Sequence, residues 1–373
     1  MFKVQGSGVR GQESDRPETA NRFYFPLHTL CSLLFALCSV LFALCSLLSA
    51  DTGGKPLLWG FALDGYPITT QKMKEVESET GLTPDITVFF LQWPSPENMK
   101  DTGFPRESLE TIWNGGAVPC LTWEPMYYKD NREIVIPYTH IMNGLYDPYI
   151  IAFANQAKLW NKPFMIRFAH EMNIQRYHWG TDEKDYGPGS PLIYRRMFQH
   201  IVSIFRKAGA HNVLWVFCPN AESVPHTSYD KTASWNVIKN YYPGDDYVNI
   251  LGIDGYNWGT TQKKEKHGWD SRWRSFSEIF QSARDELLSI SQKREIIILE
   301  TATVNQGGNK TLWIKEALAT SQKWGMTGIV WFQSNKELDW RINGAAENEY
   351  ISIIRASVSP SHRWIEHMLR GSR

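Results

Sequence analysis

Eight short apolar runs alternate with more polar, helix-like segments along the chain after residue 56. Each run is rich in β-branched and aromatic residues and has turn residues nearby, which is typical of buried strands. The runs cover residues 57–63, 86–93, 117–123, 163–171, 213–220, 248–257, 295–303 and 328–334. These eight segments are therefore predicted to be buried strands.

The segments between the strands repeat their apolar residues at intervals of three and four, which is the spacing of an amphipathic helix. Helices are predicted over residues 69–80, 147–160, 191–209, 275–290 and 310–325. The last ends at Gly325, a common residue type just after a helix. Strand and helix alternating over about 300 residues predict one (β/α)8 TIM barrel of the α/β class.

A doubly wound open sheet is the alternative architecture. Such a sheet would be expected to have a glycine-rich phosphate-binding turn after its first strand. The corresponding sequence here, GFALDGYP at residues 60–67, lacks that pattern. The barrel is therefore the favoured interpretation.

The first fifty residues differ from the rest. Residues 1–29 are predicted to be a disordered tail, because residues 1–24 are polar and charged. Residues 30–50 carry no charge and form a signal peptide or a membrane anchor in this interpretation. The predicted domain covers residues 51–358, followed by a C-terminal tail at 359–373. We therefore expect a secreted or extracytoplasmic protein, with membrane attachment through residues 30–50 as the alternative.

Charge and cysteine content narrow the function classes. Lys plus Arg and Asp plus Glu each number 39, so no overall field favours nucleic acid, which is not expected as a partner. Aromatic residues make up 13% of the chain, and such side chains offer flat surfaces for stacking. After residue 50 the only cysteines are Cys120 and Cys218, which excludes a disulfide scaffold. Both are expected to be buried thiols, with a single bridge as the alternative.

Chemistry in such barrels lies at the C-terminal ends of the strands, so residues that close a predicted strand are candidate site residues. They are Trp123 and Glu124, Glu171, Asn220, Asp254 and Tyr256, Glu300, and Trp331 and Gln333. Two carboxylates, Glu171 and Glu300, close the fourth and seventh strands, on roughly opposite sides of the mouth. Such a pair suits glycoside cleavage, in which one carboxylic acid protonates the leaving oxygen and one carboxylate acts at the anomeric carbon.

Metal-dependent chemistry is not indicated by the sequence. It has no HExxH motif and no carboxylate cluster at ligand spacing, although His170 and Asp254 are residue types that bind metals. We therefore expect catalysis without a metal or another cofactor.

Several motifs together resemble glycoside hydrolase family 26, whose members are chiefly endo-β-mannanases with some β-glucanases and xylanases. The motifs are HEMN at 170–173, the ordered block that follows it to residue 220, DGYNW at 254–258, ILET at 298–301 and VWFQ at 330–333. The likeness runs from about residue 57 to 345. It implies a retaining mechanism with Glu171 as acid/base and Glu300 as nucleophile. It also implies that His170 orients the site, Tyr256 partners the nucleophile and Trp331 is a sugar platform.

One segment departs from the family pattern. After HEMN the family usually has Gly and, two residues on, a Trp that lines the cleft, whereas this chain has Ile174, Gln175 and Arg176. The pattern resumes at Tyr177, Trp179 and Gly180. Arg176 is expected to pair with Glu124 or to face an acidic group of the substrate, with an ordinary exposed loop position as the alternative.

The sequence thus predicts a retaining endo-β-glycanase acting on β-1,4-linked polysaccharide, with β-mannan as the expected substrate. The alternatives are a β-glucanase or xylanase of the same mechanism, or a non-catalytic glycan-binding barrel. Trp258, Trp269, Trp273 and Trp340 either flank the groove or pack against loops. The predicted substrate-binding residues are His170, Trp123, Glu124, Arg176, Trp179, Asn220, Asp254, Tyr256 and Trp331.

Overall fold

The apolar runs of the sequence form eight parallel strands that close into a barrel in the computed structural model, which describes residues 57–100, 103–343, 348–357 and 362–371. The ten strands are β1 (Leu58–Ala62), β2 (Ile86–Gln92), β3 (Val118–Glu124), β4 (Met126–Lys129), β5 (Arg132–Val135), β6 (Phe164–Phe168), β7 (Val213–Phe217), β8 (Ile250–Asn257), β9 (Glu295–Thr303) and β10 (Gly328–Phe332). The barrel order is β1, β2, β3, β6, β7, β8, β9, β10 and back to β1. The predicted (β/α)8 barrel is confirmed, and the open sheet is wrong.

The helices surround this barrel. They are α1 (Thr70–Thr80), α2 (Arg106–Asn114), α3 (Tyr138–Met142), α4 (Asp147–Trp160), α5 (Ser190–Ala208), α6 (Ile238–Tyr241), α7 (Lys264–His267), α8 (Phe276–Ile290), α9 (Lys310–Lys323), α10 (Asn348–Ser357) and α11 (His362–Gly371). The five predicted helices correspond to α1, α4, α5, α8 and α9. Gly325 follows α9 with a φ of +67°, the left-handed conformation that glycine adopts without strain.

A short antiparallel hairpin, β4–β5, follows the third barrel strand and was not predicted. Met126 pairs with Val135 at its base, and Lys129 pairs with Arg132 next to the turn. Asp130 and Asn131 at the turn have φ values of 51° and 58°, which suits a two-residue hairpin connection and these residue types. Strands of four residues are too short to give a periodicity signal in sequence.

The last helix packs against the N-terminal end of the barrel. The His362 ring stacks on Trp113 at 4.2 Å between ring centres, and its Nε2 donates to the Ala117 carbonyl at 3.2 Å. Trp364 Nε1 donates to the Glu295 carboxylate at 2.6 Å, at the start of β9. The expectation of a C-terminal tail at 359–373 is therefore corrected for residues 362–371, whose amphipathic helix covers apolar surface at the barrel base.

The remaining expectations concern thiols and membrane segments. Cys120 and Cys218 are buried and free, as predicted, and the alternative of a bridge is wrong. Residues 1–29 and 30–50 lie outside the described residues. Within the described part of the chain, no helix combines the length and apolar character needed to cross a membrane.

Candidate active site

A cleft of about 890 Å³ opens at the C-terminal ends of the barrel strands. Carboxyl groups and aromatic rings dominate its walls. The acidic residues that line it are Asp64, Glu124, Glu133, Glu171, Glu222, Glu300 and Glu337, and the aromatic ones are Tyr66, Phe90, Tyr128, Tyr177, Tyr256, Trp258, Trp269, Phe332 and Trp340. Acidic side chains and flat rings in one cleft are suited to a polyhydroxylated ligand.

Glu171 reaches this cleft through an unusual turn after β6. The strand ends at Phe168, and Ala169 and Glu171 then have φ values of 47° and 52°, a left-handed conformation that is costly for residues with a Cβ. Backbone hydrogen bonds hold the turn, because the Ala169 N–H donates to the Trp123 carbonyl and the Glu171 N–H to the Cys218 carbonyl. Because the neighbouring strands hold this strained turn in place, the Glu171 side chain is directed into the cleft.

The Glu171 carboxyl is almost fully buried, with an exposed fraction of 7%. Asn220 Nδ2 donates to its Oε1 at 2.6 Å. Asn220 is itself held by Asn173 through two reciprocal hydrogen bonds of 2.8 and 2.9 Å. Burial and the negative charge of Glu300 raise the pKa of Glu171 to about 7, against the opposing effects of Asn220 and Arg167.

Glu300 lies on β9 and accepts hydrogen bonds from two directions. The Tyr256 hydroxyl donates to its Oε1, which confirms the expected contact between these side chains. Arg167 Nη2 donates to its Oε2 at 2.7 Å. Both partners favour the charged carboxylate. The phenol comes from β8, the neighbour of β9, whereas the guanidinium reaches Glu300 from β6, three strands away.

Arg167 is the buried centre of this arrangement and was not predicted as a site residue. Its Nη1 lies 2.6 Å from Asp254 Oδ2, and its Nε donates to Thr122 Oγ1 at 2.8 Å. A guanidinium with its nitrogens in a fixed fork can hold two carboxylates at once in defined positions. The signal in the sequence was a single charge inside the apolar run PFMIRFAH, which requires a buried partner.

Asp254 lies beneath the cleft rather than in its wall. It is fully buried and accepts from both Arg167 and the Cys218 thiol, the latter at 3.2 Å. The prediction that Asp254 contacts substrate does not agree with this position, because its carboxylate is already enclosed by protein groups. Its role is to hold Arg167.

His170 and Trp179 form a layer behind the cleft wall. Trp179 Nε1 donates to the His170 carbonyl at 2.7 Å, and the Trp179 ring stacks on Tyr177 at 5.1 Å with an angle of 9°. His170 is also packed on Tyr177, at 4.7 Å between ring centres. Burial lowers the pKa of His170 well below its usual value, so the imidazole is neutral. Of these three rings, the one in the cleft lining is that of Tyr177.

Arg176 lines the cleft but does not pair with Glu124, so that expectation is wrong. Its Nη2 lies 2.8 and 2.7 Å from the two carboxylate oxygens of Glu133 on the β4–β5 hairpin. Its guanidinium also lies over the Tyr177 ring, 4.9 Å from the centre. The unpredicted hairpin is the reason for the error, because it places Glu133 within ion-pair distance of Arg176.

Two predicted tryptophans face away from the cleft. Trp123 is fully buried between the barrel and its helices, with Nε1 donating to the Tyr149 hydroxyl at 3.2 Å. Trp331 stacks on Trp59 at 6.3 Å, and its Nε1 donates to the Trp340 carbonyl. Because side chains alternate along a strand, Glu124 and Phe332 point into the mouth while Trp123 and Trp331 point toward the helices. The predicted sugar contacts of Trp123 and Trp331 therefore need correction.

The other four tryptophans were expected either to flank the groove or to pack against loops, and both positions occur. Trp258, Trp269 and Trp340 line the cleft, whereas Trp273 packs against the backbone at Gly308, where a Cβ would lie 2.2 Å from its ring. Gln92, at the end of β2, also lines the cleft and was missed, although it closes an apolar run just as Glu124 does.

Comparison with known proteins gives a consistent family. A model described as "Glycosyl hydrolase family 26" matches residues 139–270. "Endoglucanase H" of Acetivibrio thermocellus is 37% identical over 279 residues, which cover 74% of this chain and 28% of that protein. A "Mannan endo-1,4-beta-mannosidase" of Bacillus subtilis is 25% identical over 222 residues, covering 52% of this chain and 58% of that protein. The chain thus spans less than two thirds of either relative.

A solved structure supports the fold. The GH26 β-mannanase of Bacteroides ovatus superposes with a TM-score of 0.54 and 18% sequence identity, covering 81% of this chain and 89% of that one. At that identity the likeness concerns the barrel itself. The matched family model and the 37% identical relative show that the chain belongs to glycosyl hydrolase family 26.

Proposed function

We propose that this protein is a retaining endo-β-glycanase that hydrolyses β-1,4-linked polysaccharide, with β-mannan as its first substrate. The observation that carries the proposal is one cleft with two buried carboxyl groups in opposite environments. Glu300 is held by a guanidinium and a phenol hydroxyl, and Glu171 is buried with its pKa raised to about 7. An anionic nucleophile and a protonated acid are the two groups that retaining glycosidases require.

In the first step Glu300 attacks the anomeric carbon and forms a covalent glycosyl-enzyme. The bond to the leaving sugar breaks, and its electron pair stays on the glycosidic oxygen, which takes the proton of Glu171. Tyr256 and Arg167 orient the Glu300 carboxylate for this attack. Asn220 orients the Glu171 carboxyl through its 2.6 Å hydrogen bond.

In the second step Glu171, now ionised, removes a proton from water. The water oxygen attacks the anomeric carbon, Glu300 leaves as a carboxylate and Glu171 regains its proton. Two displacements restore the original configuration at the anomeric carbon. A group with a pKa near 7 is suited to both halves of this cycle, because it loses and regains a proton at little cost.

The cleft shape supports attack within a chain. Aromatic rings that are half exposed lie at its rim on different loops: Tyr66 after β1, Tyr128 on the hairpin and Trp269 after β8, with exposed fractions of 48%, 57% and 46%. Exposed rings can stack on sugar faces, as they do in many carbohydrate sites. Their spread around the rim supports binding of several consecutive sugar units.

The relatives point to two candidate substrates, mannan and β-glucan. The mannosidase relative supports mannan, whereas a β-glucanase is the second candidate because Endoglucanase H is more similar to this chain. Endoglucanase H is much longer than the matched region, so its name describes more than the region shared with this chain.

Release of reducing sugar from β-mannan, mixed-linkage β-glucan and xylan by the purified protein tests the function. We expect the highest kcat/KM on mannan, and internal cleavage that lowers viscosity faster than it releases sugar. Proton NMR of the early reaction on a β-linked oligosaccharide should show the β-anomer first. Binding without cleavage of any of the three polymers would instead indicate a glycan-binding barrel, and early α-anomer would indicate inversion.

We also propose export through residues 30–50, supported by their uncharged apolar sequence. If the segment is cleaved, the exported protein should begin near Asp51, which intact-mass analysis would detect. A mass that retains Cys31 would support a membrane anchor instead.

A further inference from the structure

A third buried carboxyl group, Glu124, faces the cleft beside Gln92. The two residues end the neighbouring strands β3 and β2, where they pair in register. Both line the cleft, and Glu124 has an exposed fraction of only 4%. Gln92 Nε2 donates to Glu124 Oε2, whereas no donor to Glu124 Oε1 is found among the described residues. A buried carboxyl with one unsatisfied oxygen next to a cleft is expected to bind a ligand group.

The barrel order fixes where this pair lies relative to the reacting centre. In the eight-stranded ring, β3 is four strands from β9 in either direction, so Glu124 lies across the mouth from Glu300. A sugar ring placed with its anomeric carbon against Glu300 extends toward the opposite wall. Its ring hydroxyl groups then meet the ends of β2 and β3.

We propose that the Gln92–Glu124 pair binds ring hydroxyl groups of the sugar that Glu300 attacks, which makes Glu124 a specificity-determining residue. This inference rests on the proposed glycanase function. The amide of Gln92 and the free oxygen of Glu124 present polar groups side by side in the cleft, where they can hydrogen-bond to sugar hydroxyls. The contact positions the sugar and takes no part in proton transfer.

Glu124 binds the sugar in its neutral form. Burial, with smaller contributions from the charges of Glu300 and Glu133, raises its pKa to about 7 against the opposing effects of Gln92 and Arg167. Tyr128 and Tyr177 also face it, with their hydroxyls neutral because burial raises both pKa values, and Arg176 is engaged by Glu133. A bound sugar removes the remaining water, which penalises the carboxylate more than the acid. Affinity should therefore decrease as pH rises through about 7.

Calorimetric binding to a Glu171→Gln variant tests this, because that substitution removes the other carboxyl with a pKa near 7. The probes are the β-1,4-linked hexaoses of mannose, glucose and xylose, and the one that the wild-type protein cleaves is used. We expect its affinity to fall severalfold between pH 5.5 and pH 8.5. Adding Glu124→Gln, which keeps the shape and stays neutral, should make the affinity independent of pH. Adding Glu124→Ala should lower it about tenfold at pH 5.5.

Glu222→Gln is the matched control, because Glu222 also lines the cleft but its carboxylate is mostly exposed and pairs with Arg274. It should leave the pH dependence unchanged. Thermal unfolding of each variant checks that the Glu124 substitutions preserve the fold. Equal affinities for the Glu124 variants and their parent, in folded proteins, would overturn this inference alone. Failure of the wild-type protein to cleave any of the three hexaoses would overturn the proposed function.

Discussion

The two walls of the cleft hold the same kind of side chain in contrasting environments. On the wall formed by β8 and β9, Glu300 receives a guanidinium and a phenol hydroxyl. On the wall formed by β3 and β6, the side-chain donors to Glu124 and Glu171 among the described residues are amides, from Gln92 and Asn220. The pKa values of both are raised to about 7.

The contrast lies in the partners, because burial is the main cause of the raised pKa of both Glu124 and Glu171. Glu171 and Glu300 have the same exposed fraction, 7%, yet Arg167, which also pairs with Asp254, forms an ion pair with Glu300 and not with Glu171. A buried carboxylate without a direct cation is costly, so the neutral acid is favoured where only an amide is present. One guanidinium, which comes from β6 and reaches across to β9, therefore distinguishes the surroundings of Glu300 from those of Glu124 and Glu171.

Removing the nucleophile should have the largest effect. Glu300→Ala is expected to reduce kcat on polysaccharide by at least about 10⁴-fold, because no other group can form the covalent intermediate. Azide should restore some turnover of an activated aryl β-glycoside and give an α-configured product, detectable by NMR. Glu222→Ala, which removes an exposed cleft carboxylate, is the control. Near-normal turnover by Glu300→Ala would show that Glu300 is not the nucleophile.

Removing the Arg167 guanidinium should leave Glu300, like Glu124 and Glu171, without a cationic partner. Arg167→Met leaves Asp254 and Glu300 without their buried partner, so we expect about 3 to 5 kcal/mol lower free energy of unfolding. Urea denaturation measures this loss, and activity should fall with it. Arg167→Lys keeps the charge but lacks the fork, so its stability should lie between those of Arg167→Met and the wild type. An unchanged denaturation midpoint for Arg167→Met would contradict the role assigned to this ion-pair network.

Removing the Glu171 carboxyl group should lower kcat by an amount that depends on the leaving group of the substrate. Glu171→Ala is expected to lower kcat on polysaccharide by about 10²- to 10⁴-fold. The loss should be much smaller on an aryl glycoside with an activated phenolate, which needs little protonation. Steady-state kinetics on both substrates provide the comparison. Equal losses on the two would exclude Glu171 as the acid.

The smallest expected effect is a shift in the pH dependence of kcat/KM. Since Glu171 must be protonated to act as an acid, kcat/KM should decline as pH rises above about 7. Asn220 stabilises the ionised form of Glu171, so Asn220→Ala should raise the pKa of Glu171. The decline in kcat/KM should then shift to higher pH by about one unit or less. Glu124→Gln should make this decline less steep, because it removes the second carboxyl whose ionisation near pH 7 weakens sugar binding. A downward shift in Asn220→Ala would have the wrong sign for this hydrogen bond.

Much of this arrangement follows from the sequence by simple rules. Apolar runs predict the barrel strands, and the residues that close them include Glu171 and Glu300. The same rule fails at Trp123 and Trp331, because a strand end has two faces and only one of them points into the mouth. Choosing between Trp123 and Glu124 requires the register of the strand, which a run of residues apolar on both faces does not reveal.

The groups that sequence analysis missed act through long-range contacts. Arg167 is 87 residues from Asp254 and 133 from Glu300 along the chain, so no local pattern connects them. Glu133 depends on a four-residue strand, which is too short to detect. Gln92 could have been predicted, because it closes an apolar run just as Glu124 does. Networks of this kind are visible in sequence only as an isolated charge in an apolar run.

The position of α11 bears on how further modules can be attached to this enzyme. Its residues contact Ala117 and Glu295 at the starts of β3 and β9, while the cleft lies at the opposite ends of the strands. A tag, linker or carbohydrate-binding module fused after Arg370 would therefore emerge on the far side of the barrel from a bound polysaccharide. A fusion made at residue 358 would remove this helix and uncover the barrel base. The fusion point at the C-terminus should therefore follow the helix.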